Sequence, residues 1–171
     1  MEKTHIHIIK MGGTIEFIDS AYDNINQQLM KLDSTIDSYF KNVIKPHFTY
    51  NIETICEKDS REIKSEDLEK LIKMIKASPH DNILITHGTF TMKDTVKFLE
   101  ENFSKSEIKK KIVLTGSMIP IMGFSTSDAP FNLGYSIASF NNIKPGVYLC
   151  VNGGIFKYNE VEKNIELLRF E

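Results

Sequence analysis

Gly12-Gly13-Thr14-Ile15 follows the first apolar, strand-like run of this chain, and further clusters of small polar residues accompany each later run. Asp59-Ser60 follows the second run and His87-Gly88-Thr89 the third. Thr115-Gly116-Ser117 ends the fourth, and Asn152-Gly153-Gly154 follows the fifth, a few residues before Lys163. These residue types suit hydroxyl-based nucleophilic chemistry. A threonine hydroxyl becomes a nucleophile only with help from a base or a desolvated amine. Thr14 and Thr89 supply hydroxyls. Lys163, partly shielded from water, would have a lowered pKa and accept a proton from one of them. Gly12 and Gly13 let the backbone adopt positive φ and let a ligand approach closely. Asp59 and Ser60 are placed to hydrogen-bond the polar end of a small molecule. Each residue alone is a turn residue or a helix cap. In a parallel α/β sheet, however, the loops after the strands open on one edge, and ligands bind there.

The elements that must position them are legible as periodicities. Five runs rich in Ile, Val and Leu read as strands: 5–10, 50–56, 82–86, 111–115 and 146–151. The first, third and fourth lack clean polar alternation, as strands covered on both faces do. Between them lie helical patterns. Ile25, Leu29, Leu32, Ile36, Tyr39 and Val43 step by three and four, as do Leu68, Leu71, Ile72 and Ile75, and Met92, Val96, Leu99 and Phe103. Ser65 is a plausible N-cap for the second helix, and Thr91 with Asp94 marks the start of the third. Pro130 suits the first turn of a fourth helix reaching about Phe140. Strict βα alternation implies right-handed crossovers and a three-layer αβα sandwich with a mainly parallel sheet. Lys109-Lys110-Lys111 reads as a solvated helix end, and His5 and His7 as alternating strand residues.

Bulk properties narrow the function. At 171 residues the chain has the size of one domain, expected to span 1–171. The 21 basic and 23 acidic side chains give a net charge of -2, which offers no electrostatic case for nucleic acid or an anionic membrane. Cys56 and Cys150 are far apart and lie in or beside apolar runs, so reduced thiols are expected. No cluster has metal-ligand spacing, and no cofactor is implied. The start of the chain is too short and polar for a signal peptide, and no apolar run approaches membrane-span length. The expectation is a soluble cytoplasmic protein.

The motifs taken together resemble the bacterial-type L-asparaginases. Gly12-Gly13-Thr14-Ile15 is similar to their first signature, and His87-Gly88-Thr89-Phe90-Thr91-Met92 to their second, His-Gly-Thr-Asp-Thr-Met. Residues 114–120 and 127–133 are similar to the two motifs that follow, and Gly146 through Lys163 runs along the segment that ends in the family's lysine. The resemblance covers essentially the whole chain, as the N-terminal domain of those enzymes without the second one. It implies hydrolysis of a small side-chain amide through an acyl-enzyme. Thr14 matches the nucleophile, Thr89 and Lys163 the second threonine and its base, and Tyr22 the mobile-loop tyrosine. Ser60 matches the serine that grips the substrate carboxylate, with Asp59, Gly13, Gly88 and Phe90 beside it as substrate-binding candidates.

Several positions depart from that pattern. Phe90 stands where the resemblance expects an aspartate that binds the substrate ammonium. Arg61 and Ile119 replace a usual polar residue and a frequent arginine, and Glu171 follows Lys163 by eight residues. A ring accepts no ion pair, so impaired or altered activity on asparagine is expected, with Lys163 shifted down for want of a carboxylate. Three readings stay open at this level: an amidohydrolase, a non-catalytic small-molecule binder or interaction module, and a subunit completed by a partner chain. Self-association is expected, because surfaces left uncovered on such a domain become interfaces.

Overall fold

A computed structural model describes residues 4–17, 35–103, 108–123 and 125–171. The chain forms β1 (His5–Gly12), α1 (Thr35–Tyr39), β2 (Thr49–Lys58), α2 (Ser65–Ala77), β3 (Asn82–Thr86), α3 (Met92–Asn102), β4 (Lys111–Thr115), α4 (Ala129–Ser139), β5 (Gly146–Val151) and β6 (Gly154–Phe156). A short pairing of β7 (Lys163–Asn164) with β8 (Arg169–Phe170) closes it. The sheet order is β2-β1-β3-β4-β5-β6, and only β6 runs antiparallel.

The unalternated strands are apolar because both of their faces are covered. Ile9 and Met11 of β1, Ile83 and Ile85 of β3, and Ile112 and Leu114 of β4 point to one side. There they meet Leu71 and Ile75 of α2 and Met92, Val96 and Leu99 of α3. The intervening Ile6, Ile8, Leu84, Val113 and Cys150 point to the other side, against Ile36, Phe40, Ala129 and Leu133. The i, i+3, i+4, i+7 stripes of α2 and α3 are therefore the faces buried on the sheet. Three layers result, as expected.

Local starts differ in detail. α2 begins at Ser65 itself, with Lys64 at the N-cap and Lys64 N donating to Asp67 Oδ2 at 3.0 Å. Thr91 does precede α3, but its hydroxyl donates to Ser60 O at 2.8 Å instead of capping the helix. Pro130 lies in the first turn of α4, which ends at Ser139 with Phe140 as its C-cap. The lysine run leads into β4 and is not a helix end. Lys110 Nζ donates to Ser78 O and His80 O at 2.7 and 2.8 Å, and Lys111 Nζ donates to Phe140 O. Both thiols are free, and burial pushes that of Cys150 up to about 11.

The order 2-1-3 places the switch of chain direction between β1 and β3. Connections leave these neighbours toward opposite edges, which opens a crevice beyond their C-terminal ends. Thr14 and Thr89 follow those two ends.

Candidate active site

The loops of the crevice are pressed together main chain to main chain. Gly12 and Gly13 have φ of +89° and +83°, a region that suits glycine. A Cβ on Gly12 would lie 2.4 Å from Lys58 N, and one on Gly13 would lie 2.3 Å from Gly88 N. The ends of β1, β2 and β3 thus close on one another with no room for side chains. Thr14 emerges from this contact at the start of a single 3-10 turn, Thr14–Glu16. Beneath it the buried carboxylate of Glu16 accepts from Thr35 Oγ1 at 2.9 Å and Thr86 Oγ1 at 3.2 Å, with Lys10 Nζ 3.4 Å away. Burial raises the Glu16 carboxyl, and Lys10 opposes that shift.

Under the β3 loop, His87 is fully buried. Its Nδ1 is 2.8 Å from Gly88 O and its Nε2 2.9 Å from Thr95 Oγ1. Burial lowers its pKa to about 4, so the ring is neutral at pH 7, donating from Nδ1 and accepting at Nε2. The ring fixes the backbone from which Thr89 projects.

Lys163 Nζ donates to Thr89 Oγ1 at 2.8 Å, and that hydroxyl lies 3.7 Å from Met118 Sδ. The same ammonium sits 3.8 Å from the centroid of the Phe90 ring, and the Arg61 guanidinium sits 4.5 Å from it. Arg61 is bound through Nε and Nη2 to the two Asp59 oxygens, each at 2.9 Å. These hydrogen bonds bring the Asp59 carboxyl down to about 2. Lys163 is lowered from the ordinary lysine value, first by burial and then by the Arg61 charge, with Asp59 opposing. The face of Phe90 also favours the charged ammonium.

Thr14, Thr89, Phe90 and Lys163 line one cleft of about 400 Å³. Met118, Ile119 and Leu168 give it apolar walls, and Asp128 and Asn152 complete it. The Asp128 carboxylate is occupied. It accepts from Met118 N at 3.0 and 3.1 Å, from Ile119 N at 3.0 Å and from Asn132 Nδ2 at 3.0 Å. Asn132 Oδ1 accepts from Asn152 N at 2.9 Å, and Asn152 Oδ1 accepts from Phe170 N at 3.1 Å. This relay ties the β4 loop, α4, the β5 loop and β8 into one wall.

Of the residues singled out from the sequence, the cleft gathers Thr14, Thr89, Phe90 and Lys163. It does not gather Ser60, which is buried and whose hydroxyl accepts from Thr91 N at 3.3 Å. Asp59 is spent on Arg61, while Gly13 and Gly88 act through backbone packing behind the cleft. Tyr22 lies outside the described residues. Asp128, Asn132 and Asn152 gained no role from the sequence, although the i, i+4 pair Asp128 and Asn132 around Pro130 stands inside a quoted motif. Among the described residues no cluster suits a metal ion, and no helix is long and apolar enough to cross a membrane.

Comparison with known proteins agrees with this fold. The family described as asparaginase, N-terminal, matches residues 5–166. The chain is 30% identical over 174 residues to the glutaminase-asparaginase of Acinetobacter glutaminasificans, covering 96% of this chain and 51% of that protein. It is 30% identical over 166 residues to a probable periplasmic L-asparaginase of Haemophilus influenzae, covering 93% and 46%. The crystal structure of a probable cytoplasmic L-asparaginase from Campylobacter jejuni superposes with a TM-score of 0.73 at 32% identity, over 94% of this chain and 48% of that one. L-asparaginase I of Vibrio cholerae shares the fold with a TM-score of 0.81 at 24% identity, over 99% and 51%. The chain spans about half the length of the curated relatives it matches.

Proposed function

Because the chain belongs to the asparaginase N-terminal family, we propose that it is an amidohydrolase that cleaves a small amide with Thr14 as nucleophile. The observation that carries this reading is the 2.8 Å contact of Lys163 with Thr89 in a cleft that Thr14 also lines. The Thr14 oxygen adds to the amide carbon, the C–N bond breaks, and nitrogen leaves as ammonia with the proton taken from the hydroxyl. Thr89, polarised by Lys163 in its neutral form, relays that proton and then activates the water that hydrolyses the Thr14 ester. By the family resemblance, Tyr22 is matched to the tyrosine that activates the nucleophile. Asparagine is a poor substrate, because Phe90 offers its ammonium no ion pair.

The test is ammonia release from a panel of small amides by the purified chain and three variants. Thr14→Ala, Thr89→Val and Lys163→Met each reduce kcat/KM by roughly a thousandfold or more. Hydrolysis that survives Thr14→Ala overturns the assignment of the nucleophile.

A second reading, self-association of residues 1–171, draws on the apolar rim. Ile165, Leu167 and Leu168 are more than half exposed beside the cleft, and Phe131 stacks on Tyr135 at 6.1 Å on the open face of α4. Sedimentation at micromolar concentration gives a dimer or larger species under this reading, and monomer alone counts against it.

A further inference from the structure

We propose that the cleft selects amides that carry one carboxylate and no ammonium, with Lys163 and Phe90 setting that preference. The inference rests on reading the cleft as an amide-cleaving site and adds the charge of its substrate.

Lys163 is the cation that lines the cleft, and among the described residues no carboxylate lies within ion-pair distance of it. Its neighbours are a hydroxyl and an aromatic face. Asp128 is the acid that lines the cleft, and three N–H donors saturate it. The neighbouring Glu162 pairs with Lys93 on the outside. Around Phe90 two cations, Lys163 and Arg61, stand against one carboxylate, Asp59, which faces Arg61 in a two-point bond.

As Lys163 takes the proton through Thr89 it gains charge, so a ligand ammonium beside it would have no partner and would be repelled in a partly dry site. A ligand carboxylate would find in the cleft a cationic donor that no described carboxylate pairs. Glu16 does not supply the missing acid. Its carboxylate is buried under the β1 loop on Lys10, Thr35 and Thr86. The cleft volume suits a compact molecule of this kind.

The experiment uses four amides on one skeleton. Succinamate carries the carboxylate alone, L-asparagine carries both charges, β-alaninamide carries the ammonium alone, and propionamide carries neither. Ammonia release gives kcat/KM for each, and calorimetry on Thr14→Ala gives each affinity. The proposal expects succinamate to exceed asparagine by about tenfold or more, and propionamide to exceed β-alaninamide. Phe90→Asp, at a half-exposed position, reverses the first preference, while the uncharged Phe90→Asn does not. Asparagine equal to or better than succinamate overturns the inference, as does absence of binding by all four. Succinamate-selective binding without turnover upholds the charge preference and instead overturns the hydrolytic reading.

Discussion

The two ends of the sheet carry cavities of different character. The larger, about 600 Å³, lies at the N-terminal end of the strands, where His7, Glu53, Lys73, Ser78 and His80 help to line it. There the histidines sit against other side chains. His7 Nδ1 lies 2.9 Å from Ser78 Oγ, and its Nε2 lies 3.0 Å from Glu53, close enough for an ion pair though off the hydrogen-bond direction. His5 stacks on His80 at 3.7 Å. No residue lining that cavity has positive φ. The smaller cleft at the C-terminal end has Asn152 and Leu168 at φ of 51° and 49° and Thr14 just behind Gly12 and Gly13. It also holds Lys163, with no carboxylate within ion-pair distance among the described residues. Volume marks where elements fail to meet, whereas strained backbone around a partly buried lysine marks where a ligand is awaited.

The contrast is open to attack at both ends. The largest expected effect is from Gly13→Ala. It forces a side chain to positive φ and drives a Cβ to 2.3 Å from Gly88 N. Stability to urea should drop by about 4 kcal/mol, among the severest single-residue losses. A loss under about 1 kcal/mol would mean that the loops are not locked together.

Acid comes next. His87 has its pKa lowered to about 4 by burial, from the ordinary 6.5. Between those values the unfolded chain binds a proton that the folded one refuses, so stability falls as pH falls through this window. The loss is about 3 kcal/mol. His7 at the other end is also lowered by burial, but Glu53 opposes the shift. Thermal melts from pH 7 to pH 4 should therefore lose most of their acid sensitivity in His87→Gln and little of it in His7→Gln.

A smaller effect is kinetic. In the proposed mechanism neutral Lys163 is the base, so kcat/KM should rise with pH through a pKa below the ordinary 10.5. Phe90→Asp places a carboxylate beside the ammonium, favours its charged form, and moves this limb to higher pH by about one unit. A limb that stays in place would remove Lys163 from the proton transfer. Smallest of all, Lys73→Ala beside the larger cavity should change stability by less than about 0.5 kcal/mol and leave turnover alone.

Legibility in the sequence followed coverage. β3, β4 and β5 begin and end where their apolar runs do, since helices cover both faces. β2 lies at the sheet edge with mixed exposure, and it extends past its apolar stretch in both directions. β6, β7 and β8 hold two or three residues each, too few for any period to register. Thr14, Thr89 and Lys163 were readable because the ends of β1 and β3 and the approach to β7 bring them to one edge. Ser60 lies outside the cleft lining and its hydroxyl accepts from Thr91 N, a direction that a loop position does not reveal. The wall built on Asp128 depends on the amides of Met118 and Ile119, and amides leave no trace in residue type.

The contact of Gly13 with Gly88 separates what this fold can change from what it cannot. The two threonines are placed by main chain touching main chain, so their relative position owes little to the side chains that surround them. Residue 90 is then free to vary without moving the reacting groups. An aromatic ring there can redirect which molecules enter while leaving the machinery that awaits them intact. A scaffold organised in this way explores new substrates by single substitutions on its rim, and it pays with rigidity at two glycines.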